Sequence, residues 1–384
     1  MDVMRIKAKS LAVVAIAGVF LFGATALASA QSDAARAIYV SAATVPTSLA
    51  RVHTYPAAPA DFNPLAAGDE ELATYGFPPR PDKSTDANHY ETWARAMTAA
   101  RIRASGEIKP VASVGPQGMR SEGIGRSRSA SASIPASVTP AVTGPTLINS
   151  TEWSGVASTN KLTKWNAKTS FGDVWGSFTL PYAQPPFGVC NGGSYDGTAW
   201  IGIDGFTPGD TNLTLGGGVL IEAFCGETPA YSAVFGWFPE VPYVYAGFNG
   251  RAGDLFYVET YTSEGMGLVF LEDLSTLNYG TFAVSSDIPL VGNSVEWLLG
   301  VLYCPGCTTP FPNTTAMFFT GAEALTTGGH YFYPGSTTPA TEVFTMLDPT
   351  GTQAIELVSA GPSGNQGKYT LFFQTTGCTY SGGC

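Results

Sequence analysis

The sequence predicts an all-β fold, a two-sheet antiparallel β-sandwich, in the C-terminal part of a 384-residue chain whose leader is partly helical. Three observations carry that expectation. Short apolar and aromatic runs recur between clusters of Gly, Pro, Asn and Ser: Val174 to Leu180, Thr198 to Ile203, Gly218 to Phe224, Tyr231 to Phe238, Leu255 to Thr262, Leu268 to Leu274, Ser294 to Tyr303, Ala316 to Thr320 and Tyr369 to Gln374. Their length and their β-branched and aromatic content are those of strands. No segment among them sustains a 3.6-residue period, which favours a sandwich over an α/β fold.

In chain order, the first element is a targeting segment. Arg5, Lys7 and Lys9 precede an apolar run from Leu11 to Leu27, and Ala28-Ser29-Ala30 fits a small-residue cleavage site. Residues 1–30 therefore read as a signal peptide and the chain as secreted. Gly18 and Gly23 interrupt the run, which is short for a bilayer span, so no stable membrane anchor is expected. Residues 31–103 form the leader: Asp69 precedes Glu70-Glu71-Leu72-Ala73, Asn88 is placed to cap Tyr90 to Met97, and Pro78-Pro79-Arg80-Pro81 separates the two stretches. From 104 to 145 the composition falls to Ser, Gly, Pro, Ala and Val with Arg120, Arg126 and Arg128, the pattern of a flexible linker. The β domain is then 146–384.

Charge and cysteine usage narrow the function classes. From residue 146 onward five basic residues face nineteen acidic ones, whereas residues 31–145 are almost balanced. Such a domain repels itself at neutral pH and is relieved as carboxyls protonate, which suits acidic surroundings and excludes nucleic acid as a partner. The leader carries Arg95, Arg101, Arg103, Lys109, Arg120, Arg126 and Arg128 within 95–128, so it is expected to dock on the acidic domain by charge. All six cysteines, Cys190, Cys225, Cys304, Cys307, Cys378 and Cys384, lie in the β domain, and an even number in an exported chain suggests disulfides. Cys304-Pro305-Gly306-Cys307 has no second C-x-x-C, and His330 is the only histidine after residue 89, so neither a metal nor a cofactor is expected. No G-x-S-x-G elbow, Walker loop or H-E-x-x-H is present.

Five segments in order carry a family resemblance: Trp153-Ser154-Gly155; Trp175-Gly176-Ser177-Phe178-Thr179-Leu180-Pro181; Thr198-Ala199-Trp200-Ile201-Gly202-Ile203-Asp204-Gly205; Tyr231 to Pro239 with its Trp237-Phe238-Pro239; and Val295-Glu296-Trp297. Together they resemble the glutamic peptidases, or eqolisins, and the leader's Tyr75-Gly76-Phe77-Pro78-Pro79-Arg80-Pro81 is similar to the pro-region of bacterial members. The resemblance implies a secreted acid endopeptidase built as a concanavalin-like sandwich with a groove on one concave face. It also implies a glutamate that acts as base and then acid, and a glutamine that donates to the oxyanion.

In this chain the glutamine position falls on Gly216, ahead of Gly218-Val219, and the glutamate position on Gly300, four residues beyond Glu296. No glutamine occurs between Gln184 and Gln353 and no acid between Glu296 and Glu323, so shifting the alignment restores neither. Ser232, Val234 and Gly236 stand where the family has larger and acidic groups. Glu296 and Glu222 are the weak candidates for displaced catalytic carboxylates, Glu296 being about 13 Å along the strand from Gly300. The expectation is a groove lined by Trp200, Asp204, Ser232, Gly236, Trp237, Phe238 and Trp297, widened by glycine, that binds an extended polypeptide or glycan without cutting it. The alternative is an acid endopeptidase working through displaced carboxylates.

Overall fold

The computed structural model describes residues 38–39, 42–102, 109–112, 146–150, 153–186, 194–206, 214–237, 243–246, 248, 250–263, 265–300, 311–334, 336, 340–347, 354–360 and 371–375. The signal segment, most of the linker, Phe238 and five of the six cysteines lie outside them; the sixth is Cys225. In the leader, the hairpin of β1 (Val45–Pro46) and β2 (Val52–Thr54) precedes α1 (Asp69–Thr74) and α2 (Ala87–Ile102). A strand, β3 (Lys109–Ala112), occupies part of the stretch expected to be linker. The β domain continues with β4 (Thr146–Ser150), β5 (Trp153–Thr159), β6 (Phe171–Thr179), β7 (Ala183–Gln184), β8 (Ser194–Ile203), β9 (Leu215–Phe224), β10 (Ala230–Trp237) and β11 (Tyr243–Ala246). Then come β12 (Leu255–Ser263), β13 (Met266–Asp273), β14 (Asn278–Ser285), β15 (Ser294–Gly300), β16 (Asn313–Thr314), β17 (Met317–Thr326), β18 (Tyr331–Phe332), β19 (Ala340–Leu347), β20 (Ala354–Ala360) and β21 (Leu371–Thr375).

Two antiparallel sheets pack face to face. The first runs β3-β11-β10-β9-β8-β15-β5-β19-β4, with β4 and β19 parallel. The second runs β21-β17-β6-β12-β13-β14-β2-β1, and β20 joins the two through β19 and β21. Strand alternation sorts the side chains. From the first sheet Leu215, Val219, Ile221, Phe235, Trp237, Val295, Trp297 and Leu299 enter the central core, where they meet Val174, Phe178, Phe256, Val258, Val269 and Leu271 of the second. The intervening residues are forced onto the two outer faces.

The leader closes the outer face of the second sheet. Its α2 buries His89, Trp93, Ala96, Met97 and Ala100, the spacing of one helical stripe, and with Leu72 and Phe77 they pack on Trp175, Tyr257, Tyr261, Leu268 and Phe270. The contact is apolar and aromatic rather than electrostatic. Arg95 points to solvent, and the leader-to-domain ion pair made by a basic side chain among the described residues is the exposed Arg51–Asp287. Of the seven basic residues within 95–128 only Arg95 has a described side chain, so the expected docking by charge lies almost wholly outside the described residues. Asp86, not Asn88, caps α2: its Oδ1 accepts the His89 N–H at 2.9 Å, while Asn88 Nδ2 extends to Glu323 Oε2 at 3.5 Å. Helix α1 ends on Gly76 at φ +72°, with Gly76 N–H donating to Ala73 O and Phe77 N–H to Leu72 O. That turn delivers Phe77 to the interface beside Tyr279 and Phe270. The leader strand β2 pairs with β14 and the linker strand β3 with β11, which lengthens both sheets and covers two edges.

An apolar docking mode predicts that Trp93→Ala costs about 3–5 kcal/mol, read as a shift of the urea midpoint or as early release of the leader to protease. Arg95→Ala should stay within about 0.5 kcal/mol. Equal effects of the two substitutions would return the docking to charge.

Candidate functional site

The outer face of the first sheet is built from register rows. Glu296, Gly202, Gly216 and Gly236 lie in one row across β15, β8, β9 and β10. The next row of that face is Leu298, Trp200, Gly218 and Val234, and the one after is Gly300, Thr198, Leu220 and Ser232. Gly216, Gly236 and Gly300 therefore share one face, with Gly216 and Gly236 in direct register. Gly300 stands two rows away.

The row of glycines does not leave a widened groove. The indole of Trp200 lies across it: a Cβ at 216 would sit 2.7 Å from Trp200 Cζ2 and run into the Ile201 carbonyl, and a Cβ at 202 would sit 2.5 Å from Trp200 Nε1. Trp200 is 2% exposed and packs with Leu220 and Val234. At the other position a Cβ on Gly300 would enter the ring of Trp153, its register partner on β5. An indole thus fills the space beside each glycine. Glu296, buried, accepts a hydrogen bond from Thr214 Oγ1 at 2.7 Å, and its Oε1 would lie 2.6 Å from a Cβ at 202. The register makes Glu296 level with Gly216, which its place in the sequence did not reveal.

Other expected groove residues take different places. Trp237 and Trp297 point into the central core, and Trp297 Nε1 donates to Trp175 O at 3.0 Å. Alternation requires this, since they neighbour Gly236 and Glu296 on their own strands. Asp204 is a buried turn anchor at φ +68°: Oδ2 accepts from Val291 and Gly292 N–H at 2.6 and 2.9 Å, and Oδ1 from Asn293 and Ser294 N–H at 2.6 and 3.4 Å. Ser232, half-buried, stays on the outer face. Cys225 is half-buried just past β9 and is not a free thiol. Glu222 is also on the outer face and meets a partner missing from the sequence reading, since Asp196 is directly opposite it on β8. Burial raises the pKa of both, and the charge of Asp196 raises Glu222 further, while the Ser194 side chain partly lowers Asp196.

This sandwich and its strand order can be set beside known proteins. A sequence profile of the Peptidase A4 family matches residues 151–365, more than half of the chain and all but the last strand from β5 onward. The chain belongs to the glutamic peptidase family. Among solved structures it is similar to scytalido-glutamic peptidase crystallised with a transition state analog inhibitor, at 23% identity and a TM-score of 0.46, covering 59% of this chain and 98% of that one. It is also similar to SCP-B, an eqolisin in complex with the tripeptide Ala-Ile-His, at 20% identity and a TM-score of 0.44 with the same coverage. No curated protein matches. The profile match begins at residue 151, after α1, α2 and the first four strands.

Two outcomes test this geometry. Gly300→Glu should destabilise the protein by about 1–3 kcal/mol through overlap with Trp153, and Trp153→Ala in the same chain should relieve part of that cost. For the Asp196–Glu222 pair the sign follows from the raised folded pKa values. Their contribution is most favourable below the ordinary 3.8 and 4.5 and is lost as pH rises through the folded values. Glu222→Gln should flatten that fall in melting temperature, and an unchanged curve would exclude the pair as its source.

Proposed function

We propose that the protein is a secreted, non-cleaving member of the glutamic peptidase family that holds an extended polypeptide or glycan along the Trp200 face. The observation that carries this reading is an indole beside a glycine at each of the two positions that the resemblance gives to Gln and Glu. Glycine supplies neither an amide donor nor a carboxylate. Loss of one oxyanion donor costs about 10² to 10³ in rate and loss of a general base about 10² to 10⁴, and the two do not simply add. Glu296 is no ready substitute, being buried and bound to Thr214.

Ligand binding is supported by the strip of Trp200, Leu220 and Val234 flanked by Ser232 and by the carboxylates of Asp196 and Glu222, an apolar floor with polar ends. Trp200 is 2% exposed and held down by Leu220 and Val234 of its own sheet, so the reading has the indole swing outward as the ligand binds. The basic and apolar N-terminal pattern supports export, and six cysteines, with Cys225 not a free thiol, support disulfides in the exported form.

A second reading, acid proteolysis by displaced carboxylates, is favoured by one observation. Asp196 and Glu222 face each other across β8 and β9, and burial raises both pKa values, with the charge of Asp196 raising Glu222 further. Denatured casein incubated with the protein between about pH 2 and 5, where such pairs titrate, separates the readings. The first expects intact casein that binds, with binding weakened by Trp200→Ala. Fragments that disappear in Glu222→Gln would establish the second, and fragments that persist in both Glu222→Gln and Glu296→Gln would exclude both carboxylates.

A further inference from the structure

The outer face of the second sheet, far from the Trp200 row, holds an arrangement that peptide binding does not use. Asp173 on β6 and Glu259 on β12 are on adjacent strands and the same face as Trp175, whose register partner on β12 is Glu259. From the leader, α2 lowers His89 onto Trp175, the two rings stacked with centroids 3.4 Å apart and planes 9° from parallel. His89 Nε2 then points at Glu259 Oε1, 4.0 Å away. Donor atoms of His89, Asp173 and Glu259 all lie within 4.8 Å of one another, and all three side chains are buried.

Three facts make this more than an acidic patch. His89 is 3% exposed, and neither ring nitrogen has a hydrogen-bond partner; Glu259 Oε1 has none either, whereas Glu259 Oε2 accepts from the Tyr257 hydroxyl. Buried imidazole nitrogens and carboxylate oxygens are rarely left so, and an ion is one of the few groups that completes them. The basic side chains of the domain among the described residues, Lys161, Lys164, Lys168 and Arg251, are all exposed, so none is buried with the cluster. Lastly, one imidazole nitrogen and two carboxylate oxygens are a donor set for a borderline divalent cation, which binds N and O ligands at about 2.0–2.2 Å.

We propose that His89, Asp173 and Glu259 form a divalent metal site, of zinc preference, that clips the leader helix to the β domain. One ligand comes from the leader and two from the domain, so the ion binds only the docked arrangement and stabilises it by linkage. Side-chain rotations draw the donors inward, and the Tyr257 hydroxyl orients the Glu259 carboxylate from behind. The site is independent of what the Trp200 face binds or cleaves.

Cobalt(II), which takes zinc sites and absorbs visible light there, is the probe. Full-length protein stripped with EDTA and titrated with cobalt should bind one equivalent with a ligand-field band that zinc abolishes, and zinc should raise the melting temperature. Glu259→Gln, which keeps shape and its contact with Tyr257, should weaken binding at least about 100-fold, as should His89→Ala. Glu272→Gln, a buried acid on β13 outside the triad, should leave the band in place. Matching far-ultraviolet circular dichroism establishes folding, and should His89→Ala unfold, Glu259→Gln decides alone. Absence of the band in the wild-type protein, its persistence in Glu259→Gln, or a melting temperature indifferent to zinc would each overturn the site.

Discussion

The inward parity of the strands is the constraint on which the rest of this molecule depends. Each strand gives every second side chain to the core between the sheets, and the first sheet does so through Leu215, Val219, Phe235, Trp237, Val295, Trp297 and Leu299. A slip of one residue would exchange that set for Gly216, Gly236, Glu296 and Gly300 and would empty the core. The outward set is therefore fixed in place whatever its own chemistry. This allows an outer face to change from open groove to packed indole without loss of the fold.

Charge is the second constraint. The β domain buries Asp173, Glu259, Glu272, Glu296 and Glu323, and the basic side chains described in it remain at the surface. Neutral donors and backbone amides take the place of cations: Thr214 serves Glu296, Tyr257 serves Glu259, and the 291–294 turn surrounds Asp204. A carboxylate held by amides needs no counter-ion, because two to four N–H groups meet the lone pairs that water would otherwise meet. Glu272 has no such donor and lies beside Asp273, and burial raises its pKa well above the ordinary value. Buried groups of that kind favour the folded state in acid, consistent with the imbalance of five basic residues against nineteen acidic ones in the β domain.

The fold was legible because alternation and strand length leave a strong local signal, and each of the nine apolar runs corresponds to an observed strand. Strands β4, β5, β11, β14, β19 and β20, with the two-residue β7, β16 and β18, were missed. In β14, Gly280 looks like a turn residue, yet it is there because the Tyr245 ring passes so close that a Cβ would collide with it. The candidate site was legible in identity and not in occupancy. Glycine at 216 and 300 is plain in the sequence, but Trp200 and Trp153 fill the neighbouring space from other strands. Trp237 and Trp297 were misplaced by composition when alternation already set them opposite to Gly236 and Glu296. The partner of Glu222 was hidden because Asp196 is twenty-six positions away and only the β8–β9 register joins them.

The leader and the glycines solve the same problem on the two outer faces. A sandwich of this size presents two curved surfaces, and in this chain both carry large aromatic side chains that water would hydrate poorly. On the second sheet the leader provides the cover, with α2 laid across Trp175, Tyr257 and Phe270. On the first sheet the cover is drawn from the sheet itself, since Trp200 lies down on its neighbours only where those neighbours have no side chains. Placing glutamine at 216 would therefore require the ring to leave, exposing its apolar surface as well as adding a polar group. For an indole that buries on the order of 150–250 Å², at about 25 cal/mol per Å², that reorganisation opposes the substitution by several kcal/mol. Family membership fixes which residues face outward, and the packing among them decides whether that face can still hold a water and a peptide bond.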